Sequence, residues 1–141
     1  MIANFETMSK MFKECNKKYF NDSLPTPTFN TINKLNIIAK FVYNKNKGGK
    51  YPIKWQEIRI SDCYDFSEED FRDIMVHEMI HYYIALNNIK DNKEHGKEFM
   101  KIANELNSKY NLNITKTKSA SSFKKTEKAP KYNGFLKFLI G

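Results

Sequence analysis

All three histidines of the chain, His77, His81 and His95, fall within one stretch, HEMIHYYIALNNIKDNKEHGKEF, which runs from His77 to Phe99. His77 and His81 are four residues apart. On an α-helix that spacing puts both imidazoles on one face, one turn apart, close enough to share a metal ion. Zinc favours neutral imidazole nitrogens in a tetrahedral shell, and a catalytic zinc takes three protein ligands so that one position stays open for water. Glu78 follows the first histidine, roughly 100° further round the helix, where its carboxylate reaches an activated water instead of the metal. Zinc brings the pKa of such a water to about neutrality. Glu78 then takes the proton as attack occurs and passes it to the leaving amine. A carboxylate among apolar residues is costly to bury without such a task.

The third ligand must come from elsewhere. His95 is expected to supply it, from a position after a polar loop and at the start of the next helix, where Gly96 permits a close backbone approach. Glu94 and Glu98 are its rivals, because carboxylates also ligate zinc. A different class of reading is a non-catalytic, zinc-stabilised binding module. Glu78 argues against it, since a purely structural site needs no base and prefers four closed ligands.

The elements around these residues are legible from periodicity. DFSEEDF opens the central helix, with Ser67 as N-cap and Asp70 at the third position of a capping box. This helix is expected to run to about Leu86. It is apolar on every side (Ile74, Met75, Val76, Met79, Ile80, Tyr83, Ile84), which marks it as buried. A second helix is expected from near His95, with Phe99, Ile102, Ala103, Leu106 and Tyr110 on one stripe. Near the N-terminus, Phe5, Met8, Phe12, Cys15 and Tyr19 recur at helical spacing, and NDSLPTPTF ends that helix, since Pro25 and Pro27 cannot continue it. INKLNIIAKFVY and KWQEIRIS alternate as strands, joined by NKNKGGKYP, where Gly48-Gly49 supplies the positive φ a hairpin needs. Thr28 to Ile32 adds a third strand, and YNGFLKFLIG reads as a last one. The expected fold is α+β: an N-terminal helix, a small, mostly antiparallel sheet, the active-site helix and a third-ligand helix. WQEIRIS is expected to be the sheet edge nearest the metal helix, where an extended substrate adds as a strand and meets Trp55 or Arg59. Several tyrosines are candidates for stabilising an oxyanion.

At 141 residues the chain is expected to form one domain, 1–115, followed by a tail, 116–141. The net charge is +8, of which the tail carries +6: seven lysines (116, 118, 124, 125, 128, 131 and 137) against Glu127. A basic tail on a near-neutral body suggests a polyanion partner, DNA bound single-stranded or non-specifically. The alternative is a solvated tail without a partner. Phe123, Tyr132, Phe135 and Phe138 either stack on bases or dock the tail on the core. Cys15 and Cys63 lack C-x-x-C spacing, which rules out a cysteine zinc ribbon within this chain and points to reduced thiols. MIANFETMSK has no signal-peptide pattern, and no apolar run reaches membrane-spanning length. A cytoplasmic protein without a membrane partner is therefore expected.

Four segments, in order, resemble the SprT-like (Spartan-type) zincin metallopeptidases. KKYFNDSLPTPTF is similar to the segment after that family's first helix, and EIRIS to its strand before the active-site helix. MVHEMIHYYI is similar to its metal helix, and HGKEFMKIANELN to its third-ligand motif, H-G-x-x-F. The resemblance covers roughly Lys10 to Thr115. It implies a zinc peptidase with His77, His81 and His95 as ligands, Glu78 as base and a protein or peptide substrate. Eukaryotic Spartan proteases digest proteins crosslinked to DNA and are switched on by DNA, so the resemblance implies DNA-associated substrates. The chain departs from the pattern where many members carry a cysteine zinc ribbon; here the lysine-rich tail stands in that place. A general or regulatory zinc peptidase with no DNA role is the alternative.

Overall fold

The N-terminal stripe builds a helix, α1 (Phe5–Tyr19), in the computed structural model, which describes residues 1–46 and 53–131. A capping box starts it: the Thr7 N–H donates to Asn4 Oδ1 at 2.9 Å and the Asn4 N–H donates to the Thr7 hydroxyl at 3.1 Å. Met8, Met11, Phe12 and Cys15 are buried, whereas Phe5, expected on the same stripe, is 70% exposed. From the last turn of the helix, the Asn16 amide brackets Leu24, donating to its carbonyl at 2.8 Å and accepting from its N–H at 3.2 Å. That pairing sets the course of the Leu-Pro segment toward the sheet.

Three strands follow, β1 (Thr28–Ile32), β2 (Ala39–Lys45) and β3 (Ile53–Ser61), in the spatial order β1-β3-β2. β3 is antiparallel to β2, with Phe41 opposite Ile58, and parallel to β1, with Phe29 opposite Ile58. The sheet is therefore mixed, with one parallel pair where a mostly antiparallel sheet was expected. WQEIRIS lies in the central strand, which corrects its expected place at the edge. The physical reason is burial: Ile58 and Ile60 of β3 are fully buried, and even Glu57 is nearly so, ion-paired to Arg59. β2 carries the exposed residues Lys40, Tyr43, Asn44 and Lys45 and takes the edge. The expected glycine turn between β2 and β3 lies outside the described residues.

Two further helices complete the core: α2 (Glu68–Leu86) and α3 (Lys97–Tyr110). Ser67 caps α2 by accepting from the Asp70 N–H at 3.1 Å. α2 packs against α1, α3, β2 and β3, which is why Phe71, Ile74, Met75, Val76, Met79, Ile80 and Tyr82 are buried all round it. Tyr82 stacks on Phe41 of β2 at 5.3 Å and donates to the Pro25 carbonyl at 2.7 Å, tying helix to sheet and to the Leu-Pro segment. α3 ends at Asn111 in the left-handed region, φ 56°. Leu112 and Ile114 then bury against the core.

The chain beyond residue 115 reads as a flexible linker by composition, yet residues up to 131 fold back onto the body. Lys124–Lys125 (β5) pairs antiparallel with Tyr64–Asp65 (β4). Phe123 packs its ring on Phe66 at 5.0 Å and Tyr64 at 5.9 Å. The Thr126 N–H donates to the Cys63 carbonyl at 2.8 Å, and Ala129 is buried. Docking is thus what Phe123 does; Tyr132, Phe135, Phe138 and the expected last strand lie outside the described residues. Cys15 and Cys63 are buried and unpaired. Among the described residues no helix is long and apolar enough to cross a membrane.

Candidate active site

α2 presents His77 and His81 on one face, and the loop before α3 brings His95 to meet them. His95 Nε2 lies 3.1 Å from His77 Nε2 and 3.2 Å from His81 Nε2. Phe99, on the first turn of α3, lies against all three rings, with centroids 4.8, 4.6 and 4.9 Å from those of His77, His81 and His95. Neither Glu94 nor Glu98 joins the three histidines in their cluster of potential ligand atoms.

The loop is held by Asp91. Its carboxylate accepts from the Phe99 N–H at 3.0 Å and the Asn92 N–H at 2.9 Å, and so caps α3 across the loop that bears His95. The close approach explains Gly96: a Cβ there would lie 2.1 Å from Asp91 Oδ1 and 2.4 Å from Asn92 Oδ1. Gly96 lets the capping carboxylate sit against the backbone next to His95.

The donor set fits a metal ion. Nitrogens about 2.0–2.1 Å from a tetrahedral zinc stand roughly 3.3 Å apart, close to the two separations seen. The outer nitrogen of His77, Nδ1, lies 2.8 Å from the Thr115 carbonyl oxygen. A carbonyl only accepts, so Nδ1 carries the proton and Nε2 turns its lone pair toward the other histidines. Burial, with the neighbouring His81 second, pushes the His77 pKa down to about 4; burial, with the neighbouring His95, does the same for His81. Both rings are therefore neutral at physiological pH, the state in which imidazole binds metal.

Glu78 is 6% exposed, with Oε2 4.0 Å from His77 Nε2. Burial, reinforced by the Glu94 carboxylate, pushes its pKa up to about 8, against the pull of the Phe41 backbone N–H. A carboxyl so placed can both take and return a proton near neutral pH.

These groups line a cleft of about 910 Å³. Its walls are β2 and the residues before it, α2, the loop at 88–95 and the segment at 115–118. Among the described tyrosines, Tyr43 of β2 lines it. The free edge of β2 can be assigned from its register. The Ser61 N–H donates to the Ile38 carbonyl at 2.7 Å, so residues 40 and 42 also face β3. Ala39, Phe41 and Tyr43 then turn their backbone groups away from β3, on the side of β2 where no strand pairs among the described residues. Trp55 and Arg59, expected to contact substrate, sit instead in the central strand. Sequence reading missed Asp91 and the Thr115 carbonyl. A lone loop aspartate and a backbone oxygen leave no pattern, and only Gly96 hinted at the first.

A helix carrying two histidines and a glutamate, a third histidine before the next helix, and a small mixed sheet at its side define a zincin-like α+β fold. The SprT-like family model matches residues 8–118, and the chain belongs to that family. It is 28% identical over 109 residues to the DNA-dependent metalloprotease SPRTN of Homo sapiens, an alignment covering 77% of this chain and 22% of the human protein. The chain thus spans about a fifth of the length of that relative.

Proposed function

We propose that this chain is a zinc-dependent metalloendopeptidase that acts on DNA-associated or DNA-crosslinked proteins, with His77, His81 and His95 as metal ligands and Glu78 as general base. The observation that carries the reading is the convergence of three imidazole Nε2 atoms beside a buried carboxylate, in a cleft walled by an edge strand. When bound, zinc supplies Lewis acidity, lowering the pKa of a water and polarising the peptide carbonyl. Glu78 accepts the proton of the attacking water on a carboxylate oxygen. It returns that proton to the peptide nitrogen as the C–N bond breaks, and the amine leaves neutral. His77 holds its own proton on Nδ1 against the Thr115 carbonyl and takes no part in the transfer.

An extended substrate adds to the outward groups of Ala39 and Tyr43, on either side of the Phe41 N–H that faces Glu78. Backbone pairing of this kind selects weakly among side chains, which suits a peptidase with varied protein targets. DNA association is supported by the human relative, a DNA-dependent metalloprotease, and by the +6 charge of residues 116–141. Exposed Lys116, Lys124, Lys125 and Lys128 supply phosphate contacts of the salt-sensitive, sequence-independent kind.

The test incubates zinc-loaded protein with a DNA-binding protein, with and without single-stranded DNA, across a range of salt concentrations. Cleavage that needs DNA, weakens with salt and disappears with a chelator is the expected result. Cleavage indifferent to DNA would assign a general peptidase, and no cleavage with zinc shown to be bound would assign a binding module.

A further inference from the structure

Each end of α3 adjoins a segment that reaches the histidine cluster. His95 precedes its first turn, and Asn107 sits in its last. Asn107 does not face the cleft. Its amide pairs with the backbone of Ile114, donating from Nδ2 to the Ile114 carbonyl at 2.9 Å and accepting at Oδ1 from the Ile114 N–H at 2.8 Å. These two bonds fix the peptide groups on either side of Ile114, whose side chain is itself buried. The next carbonyl along, that of Thr115, is the one that meets His77 Nδ1 at 2.8 Å.

We infer that Asn107 is a positioning residue for the metal centre: by clamping Ile114 it aims the Thr115 carbonyl at His77 and fixes that ring with its Nε2 lone pair toward the other two histidines. The inference rests on the proposed assignment of the three histidines as ligands. The chemistry requires an amide. The side chain must donate to a carbonyl and accept from an N–H at once, and among side chains of this length asparagine alone carries both functions. Aspartate keeps the shape and the acceptor but sets a second oxygen against the Ile114 carbonyl. Without the clamp, residues 112–115 still bury Leu112 and Ile114, but the Thr115 carbonyl loses its fixed direction. His77 is then free to populate the other tautomer, with a proton on Nε2 where the metal binds.

The test compares wild type with Asn107→Asp and Asn107→Ser by zinc affinity under chelator competition, by the visible spectrum of the cobalt-loaded protein, and by nitrogen NMR of the His77 imidazole in the metal-free protein. The expected results are a protonated Nδ1 at His77 in wild type, a mixture of tautomers in the variants, and zinc affinity lowered by about 10- to 100-fold with an altered cobalt spectrum. Variants that fold and bind zinc as wild type does would overturn the inference while leaving the ligand assignment intact. An Nε2-protonated His77 in the metal-free wild type would overturn it whether or not the variants fold. Failure of the wild type itself to bind metal would instead sink the ligand assignment, and the inference with it.

Discussion

Glu78 Oε2 stands 4.0 Å from His77 Nε2, and the two side chains are driven by burial to opposite departures from their ordinary ionisation. The Glu78 pKa rises from 4.5 to about 8, whereas those of His77 and His81 fall from 6.5 to about 4. In the metal-free protein, the neutral Glu78 carboxyl contributes its full stability below pH 4.5, and that contribution is lost as pH rises through about 8. The neutral histidines contribute fully above pH 6.5, and theirs is lost as pH falls through about 4. Each unit of pKa difference corresponds to about 1.4 kcal/mol. Glu78→Gln is therefore expected to raise the melting temperature of the metal-free protein at pH 8.5 by several degrees, an advantage that shrinks toward pH 4.5. A pH-independent difference between the two proteins would contradict it.

His95, rather than either neighbouring glutamate, is expected to hold the metal with His77 and His81. Removing a ligand costs more than losing an outer hydrogen-bond partner, so His95→Ala is expected to weaken zinc binding by more than about 100-fold. Glu94→Ala and Glu98→Ala are expected to leave it unchanged. Chelator competition measures all three, and a large loss in either glutamate variant with His95→Ala unaffected would reverse the assignment.

The free edge of β2 offers a test that spares the metal. The Ala39 N–H turns away from β3, so Ala39→Pro removes an outward donor without removing a bond of the ladder. This variant is expected to bind zinc normally and to lose cleavage of unfolded protein substrates by at least about tenfold, one lost backbone hydrogen bond and an obstructed edge together. Undiminished cleavage would remove β2 from the substrate site.

Phe123 is expected to act as part of the core although it lies in the basic segment. Its ring rests on Tyr64 and Phe66, and truncation of a partly buried aromatic costs about 2 kcal/mol. Phe123→Ala should show that loss in chemical denaturation. Unchanged stability would mean that the segment at 119–131 is not held to the body in solution.

The central helix and the meeting of its two histidines with His95 were legible because their signal is local: a four-residue spacing within an all-apolar helix, then H-G-x-x-F. What escaped the sequence was relational. β3 alternates as an edge strand does, and its central place depends on β1 pairing with it in parallel although β2 lies between them in sequence. Gly96 was readable as a close approach, but the Asp91 carboxylate it makes room for was not. Lys124 and Lys125 look like solvated tail, and their pairing with Tyr64 and Asp65 depends on where one aromatic, Phe123, finds a surface. The Thr115 carbonyl is backbone, to which residue identity is silent.

The most direct measurement is digestion of an unfolded protein by zinc-loaded wild type beside zinc-loaded Glu78→Gln, with fragments read by mass spectrometry and zinc content measured in both. The expected result is new peptide termini from the wild type and equal zinc in the variant, with cleavage reduced by about 100- to 10,000-fold. Equal cleavage by the two proteins, with zinc in each, would contradict the role of Glu78 and with it the mechanism.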